Sequence, residues 1–254
     1  MTSLPLKLLN TIGFLGMIAV NILAVLLPLN GQNTGQISDL YPSLFTPAGF
    51  TFGIWSLIYL WLLIFVIGQW FYADQKFYKK LSRLFVLSCL ANLSWIVAWH
   101  FLLPGLSLVI MLVLLITLIE IFLLLQRQVL TIKEKILLQL PFHVYLGWIS
   151  VATIANVAAG LVSLPWFGEP LSQEAWTICL LIIASILSIV MTVRYKAIFY
   201  SMVTIWALYG IFSRWQSHSE NLIREVSLSL GVLIGVVILA RLILSLKVKV
   251  SRIQ

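Results

Sequence analysis

The sequence predicts an all-α integral membrane protein, an eight-helix transmembrane bundle. Three observations carry this. Of 254 residues, 61% are hydrophobic and only 9% are charged, with a mean hydropathy of +1.07. A water-facing globule of this size needs far more polar surface. Eight apolar stretches approach the roughly 20 residues that a helix needs to cross a hydrocarbon core. Between them, Lys and Arg gather in alternate loops, as cytoplasmic retention of positive loops requires.

The spans fall near residues 8–29, 47–72, 84–102, 106–126, 136–163, 176–193, 197–215 and 228–247. The first is too long for a signal-peptide core and no small-x-small cleavage site follows it, so it reads as a retained span. Pro47 opens the second span, where its missing N–H is harmless. Leu103, Pro104 and Gly105 make a tight turn between the third and fourth, and Pro141 should bend the fifth near its start. A sixth and seventh span fused across Arg194, Tyr195 and Lys196 would bury two charges, so two separate helices are expected there.

With the N-terminus inside, fourteen of the sixteen Lys and Arg are cytoplasmic, Lys76, Lys79, Lys80 and Arg83 among them, and the outer loops hold only Arg214 and Arg224. Both termini are therefore expected in the cytoplasm of a cell-membrane protein. The net charge of +8 is dispersed between apolar runs, which excludes a nucleic-acid-binding face. Two cysteines, Cys89 and Cys179, exclude a disulfide framework. His100, His143 and His218 do not converge on a metal site. Glu120 and His143, both expensive in lipid and on adjacent helices, are expected to approach one another.

Eight of the ten tryptophans form two groups. Trp70, Trp166, Trp176 and Trp215 lie at span ends, where membrane-surface belts collect indoles. Trp55, Trp95, Trp99 and Trp148 lie inside spans. Ser88, Asn92, Trp95 and Trp99 recur at helical spacing on one face of the third span, and Tyr145, Trp148, Ala152, Asn156 and Gly160 do the same on the fifth. Trp55 and Tyr59 are one turn apart on the second. An unpartnered amide in hydrocarbon costs several kcal/mol, so Asn21, Asn92 and Asn156 face protein, water or a ligand. Pattern alone leaves open whether these amides fasten helices together or meet a ligand.

The run from Pro47 through Trp55 to Tyr59 resembles the second-helix signature of the tryptophan-rich sensory protein and translocator protein family, that of the peripheral-type benzodiazepine receptor. Asn92-Leu-Ser-Trp95 resembles its third-helix Asn-x-x-Trp. Tyr145-Leu-Gly-Trp148-Ile-Ser-Val-Ala152-Thr-Ile-Ala-Asn156 resembles its fifth-helix pattern at every fixed position. The chain departs from the family in having Phe45 and Pro47-Ala48 for the usual Trp and Pro-Pro, and Val144 where a Pro is usual. The resemblance covers residues 1–163 and implies a five-helix domain, with 164–254 a three-helix membrane extension of a longer, divergent member.

It further implies a receptor or sensor-like protein that binds a hydrophobic planar ligand, a tetrapyrrole such as haem or protoporphyrin, with no cofactor required. Trp55, Tyr59, Asn92, Trp95, Trp99, Trp148, Ala152 and Asn156 are the implied ligand-binding residues, under a lid formed by residues 30–46. The alternatives are a secondary transporter of a small hydrophobic molecule and a slow porphyrin-converting enzyme. Expected partners are the lipid bilayer and the small-molecule ligand, with no nucleic acid; a homodimer is left open. The extension, with its Gly231-x-x-x-Gly235 step, is expected to pack against the five-helix part as a support or an interaction surface, without a ligand site of its own.

Overall fold

A computed structural model describes residues 4–27, 29–72, 77–162, 171–216 and 222–250. Lys76, Trp166, His218 and Arg252 lie outside the described residues. Helices and turns account for the regular structure of the described residues, with no strand among them. The helices are α1 (Leu4–Leu26), α2 (Thr34–Asp39), α3 (Ile54–Tyr72), α4 (Tyr78–His100), α5 (Pro104–Gln126), α6 (Ile132–Glu134), α7 (Leu140–Val162), α8 (Gln173–Tyr195), α9 (Ile198–Arg214) and α10 (Leu222–Val250).

Among the described residues seven helical segments are long and apolar enough to cross a membrane. The seventh expected span is α9, a separate helix of 17 residues and so about 26 Å long at about 1.5 Å per residue. The multi-pass membrane character thus stands, while a count of eight crossings depends on this short helix. α8 and α9 are not fused: Lys196 adopts a left-handed conformation (φ 58°) and ends α8.

Local chemistry explains the other boundaries. α4 stops in a turn where Leu102 is left-handed (φ 56°), its N–H donating to Trp99 O and that of Leu103 to Ala98 O. This is the paired bonding that closes a helix C-terminus. Pro104 then starts α5 at a position that needs no N–H. The expected opening by Pro47 is displaced: a 3-10 turn over Gly49–Gly53 precedes α3. Near Pro141 a π turn, Lys135–Gln139, joins α6 to α7. Widening the helix there relieves the clash that a proline ring makes with the preceding turn.

Helices α1, α4, α5, α7 and α3 pack in a closed ring. Its core is aromatic toward one end, where Phe65, Phe85 and Phe142 meet edge to face. At the same end Asn10 donates to Gln69 Oε1 (2.8 Å) and Ser82 Oγ (3.1 Å), tying α1 to α3 and α4. Helices α8, α9 and α10 form a second group, joined to the ring chiefly by α9 against α7. They meet closely because Gly147 lacks a side chain: a Cβ there would lie 2.9 Å from Tyr200 O. Of the Gly231 and Gly235 pair, Gly231 faces Leu208 of α9 and Gly235 has no neighbour within 4 Å.

The expected approach of Glu120 to His143 does not form. Glu120 accepts a hydrogen bond from Lys80 Nζ at 3.1 Å on the exposed side of α4 and α5, while His143 packs against the Phe122 ring. A lysine on a neighbouring helix supplies the counter-charge that the sequence count assigned to a histidine.

Candidate functional site

The chain between α1 and α3 covers one end of the ring, and its own sequence folds it there. Asn33 caps α2, accepting from Gln36 N at 3.0 Å while the Gln36 side chain accepts from Asn33 N at 2.8 Å. This reciprocal box satisfies two donors that a short helix would otherwise leave unpaired. His100, buried at the end of α4, anchors the segment from below: its ring nitrogens lie 3.1 Å from Leu29 O and 3.1 Å from Thr34 Oγ1. Asn30 Nδ2 donates to His100 O at 3.0 Å.

The far side of the segment is held by α9. Ala48 N donates to Gly210 O (3.0 Å), Trp206 Nε1 to Thr51 O (2.9 Å) and Trp215 Nε1 to Leu44 O (3.1 Å). Arg214 Nη1 pairs with Asp39 Oδ1 at 2.6 Å. Trp215 is thus an anchor for the covering segment, where its place at a span end read as a membrane belt. Trp70, by contrast, is half exposed, with Lys7 Nζ over its ring.

Under this cover lies a slot with empty space of about 600 Å³, its mouth included. Its walls are Trp55 of α3, Trp95 and Trp99 of α4, and Trp148, Ala152 and Asn156 of α7. Six of the eight residues expected at a ligand site therefore meet in one place. The rings touch one another. Trp55 lies 6.1 Å from Trp95 and 6.2 Å, edge on, from Trp148, and Trp95 stacks on Trp99 at 6.1 Å. A flat molecule enters such a slot only by parting rings now in contact, and the covering segment is the part built of short turns.

The other two residues lie apart from these walls. Asn92 is fully buried between α1, α4 and α7, accepting from Asn21 Nδ2 (2.9 Å) and donating to Tyr145 OH (3.0 Å). Tyr59 stacks on Trp55 and lines a neighbouring cavity between α1, α3 and α2. Its hydroxyl is buried with no hydrogen-bond partner among the described residues. Asn156 lines the slot but is occupied: Oδ1 accepts from Ser107 Oγ (2.7 Å) and Trp95 Nε1 (3.4 Å), and Nδ2 donates to Ala152 O (3.0 Å). It acts as a fastener that fixes the Trp95 ring.

Trp148 differs from its neighbours. Its side chain is 3% exposed, and its Nε1 is buried with no hydrogen-bond partner among the described residues. An indole N–H held this way costs about 1 to 3 kcal/mol. Beside it, Ala152, Ala155 and Ala159 recur on one face of α7 and leave the slot its width.

Other wall residues were not among the eight, although Thr34 and Phe45 belong to the expected lid and Phe52 to the second-helix motif. Thr34, Phe45 and Phe52 come from the covering segment, and Ala207 and Ile211 from α9. The extension therefore reaches the slot, which the expectation of a support or an interaction surface did not include. A model of the family described as TSPO-like protein matches residues 7–243 of the chain, a range that takes in both the ring and the helices beyond it. No protein of curated description matches it, and no solved structure does.

Proposed function

The chain belongs to the TSPO-like protein family, and from that premise and the slot we propose that it is a multi-pass membrane receptor or sensor-like protein that binds a planar hydrophobic ligand of the tetrapyrrole class. The observation that carries this reading is the orphan N–H of Trp148, buried in a slot walled by three further indoles. Such a wall binds any flat π-system through its faces, and the free N–H adds one buried donor for a polar group of the bound ligand. A water-sized sphere finds about 40 Å³ of room in the closed slot, below the range of about 300 to 1,000 Å³ common to small-molecule sites, so a tetrapyrrole is accommodated only as the cover and the ring contacts open. Alanines 152, 155 and 159 admit the ring plane, Trp55, Trp95 and Trp99 stack on it, and Asn156 orients Trp95. Tyr59 and Asn92 act one layer out, Tyr59 behind Trp55 and Asn92 behind Tyr145.

In this reading all eight long helices cross the membrane, both termini are cytoplasmic, and the covered end faces outward, as the division of basic residues requires. Residues 1–163 form the binding ring and 164–254 the extension. The test is quenching of tryptophan fluorescence during titration of the purified protein with protoporphyrin. Ala152→Leu, which narrows the slot, and Trp148→Ala, which removes the orphan donor and a wall, each weaken binding by about tenfold or more, equivalent to about 1.4 kcal/mol. Unchanged affinity in both variants overturns the reading. Illumination of the complex followed by product analysis separates a binder, which returns the pigment intact, from a converting enzyme.

A further inference from the structure

Helix α9 touches the site in two independent ways. Ala207 and Ile211, one turn apart, form part of the slot wall together with the alanine face of α7. Gly210 O in that same turn, with Arg214 and Trp215 at the end of the helix, holds the cover. α7 and α9 are pressed together at Gly147 and Tyr200 and both continue toward the covered end, so the slot wall is rigid where it begins. The rings of the slot are in mutual contact, so ligand must enter by displacement of the cover, and the cover is tied on one side to α4 and on the other to α9.

We infer that α9 is a specificity-determining and gating element of the ligand site: Ala207 and Ile211 set the width that a planar ligand can use, and the Arg214–Asp39 and Trp215–Leu44 contacts set how fast the cover releases it. The inference rests on the ligand reading above. A helix outside the five-helix ring thereby takes a role that the ring and its connecting segment cannot supply alone. The small side chain of Ala207 is the point of leverage, because any larger residue there projects toward the α7 alanines. Ile211, being branched and fully buried, closes the slot against ligands wider than the present gap.

The test uses the full chain in detergent or nanodiscs, with protoporphyrin as the probe. Ala207→Leu lowers protoporphyrin affinity by about tenfold or more, since a blocked apolar pocket discriminates at that level. Met202→Leu, on the exposed side of the same helix, binds as the parent does. Ile211→Ala widens the slot and provides the second reading should Ala207→Leu fail to fold, with preference shifting toward bulkier porphyrins. The clamp is read without ligand. In Arg214→Gln combined with Trp215→Phe, amide hydrogen exchange over residues 34–46 rises about five- to tenfold, the loss of one or two net hydrogen bonds. Protoporphyrin dissociation accelerates by a similar factor.

Parent-like affinity in Ala207→Leu and Ile211→Ala, alongside weakened binding in Trp148→Ala, overturns the specificity role while leaving the ligand reading intact. Unchanged exchange over 34–46 in the clamp variant overturns the gating role. Absence of saturable quenching in the parent protein defeats the ligand reading instead, and the exchange measurement then decides the clamp by itself.

Discussion

Replacing Gly210 by alanine should loosen the joint between α9 and the covering segment, and its cost follows from the coordinates. A Cβ at this position would overlap Thr51 Oγ1 outright and lie 2.8 Å from Thr51 Cγ2 and 3.0 Å from Thr51 Cβ. Rotation about χ1 moves the branches but leaves Thr51 Cβ 3.0 Å away, and Thr51 is fully buried, so α9 and the 3-10 turn must part. Overpacking of this kind costs about 1 to 3 kcal/mol. Three close contacts place it toward the upper end, and the better helix propensity of alanine returns up to about 1 kcal/mol. The net loss is about 2 kcal/mol, a fall in unfolding midpoint of about 4 to 8 °C for a chain of this length.

Thr51→Ala removes both branches and an unpartnered buried hydroxyl, so alone it is close to neutral. In the double variant Gly210→Ala is almost free, giving a coupling energy of about 2 kcal/mol between the two positions. Thermal unfolding in detergent can be followed with a thiol-reactive dye at the buried Cys89, in a background where the exposed Cys179 is serine. A midpoint for Gly210→Ala within 1 °C of the parent, or strict additivity in the double variant, would refute the close approach of α9 to Thr51.

Further expectations are of the same kind. Gly147→Ala places a Cβ 2.9 Å from the Tyr200 carbonyl oxygen; that neighbour is backbone and cannot rotate away, so a loss of about 1 to 2 kcal/mol should show in the same unfolding assay. Asn156→Ala strands the Ser107 hydroxyl and the Trp95 indole and should destabilise by about 1 to 3 kcal/mol, with a red or blue shift in tryptophan emission as the Trp95 ring is freed. Leu102→Gly removes a left-handed leucine that is 41% exposed and should raise the unfolding midpoint, because that conformation costs a non-glycine residue about 1 kcal/mol or more. Reporter fusions after Gln36, Arg127, Gly168 and Gln254 should read out, in, out and in; a cytoplasmic signal after Gly168 would break the proposed topology.

What was legible in the sequence is what period and length determine. A helix that must bury one face repeats its small, polar and aromatic residues every three to four positions, so the Ser88, Asn92, Trp95 and Trp99 stripe could be placed before any packing was known, and all four are buried. The apolar runs located each long helix, because hydrocarbon thickness sets a minimum length, but not every end: α4 and α10 start at Tyr78 and Leu222, ahead of their apolar runs, and α3 starts only at Ile54. The family resemblance came from motifs on three of those helices and put six wall residues in one slot.

Tertiary packing decided the rest, since periodicity says which face of a helix is inward but not which neighbour it meets. Asn92 and Asn156 are the same residue type on equivalent stripes, yet only Asn156 reaches the slot, because Asn21 and Tyr145 close around the other. Trp70 and Trp215 both end helices, yet Trp215 found a carbonyl on the covering segment and Trp70 did not. Glu120 took Lys80 as its partner because α4 and α5 are antiparallel neighbours. The role of α9 was beyond reach for the same reason: its contacts to Asp39, Leu44 and Thr51 span more than 150 residues of chain, and only a folded backbone brings such distant groups within bonding distance.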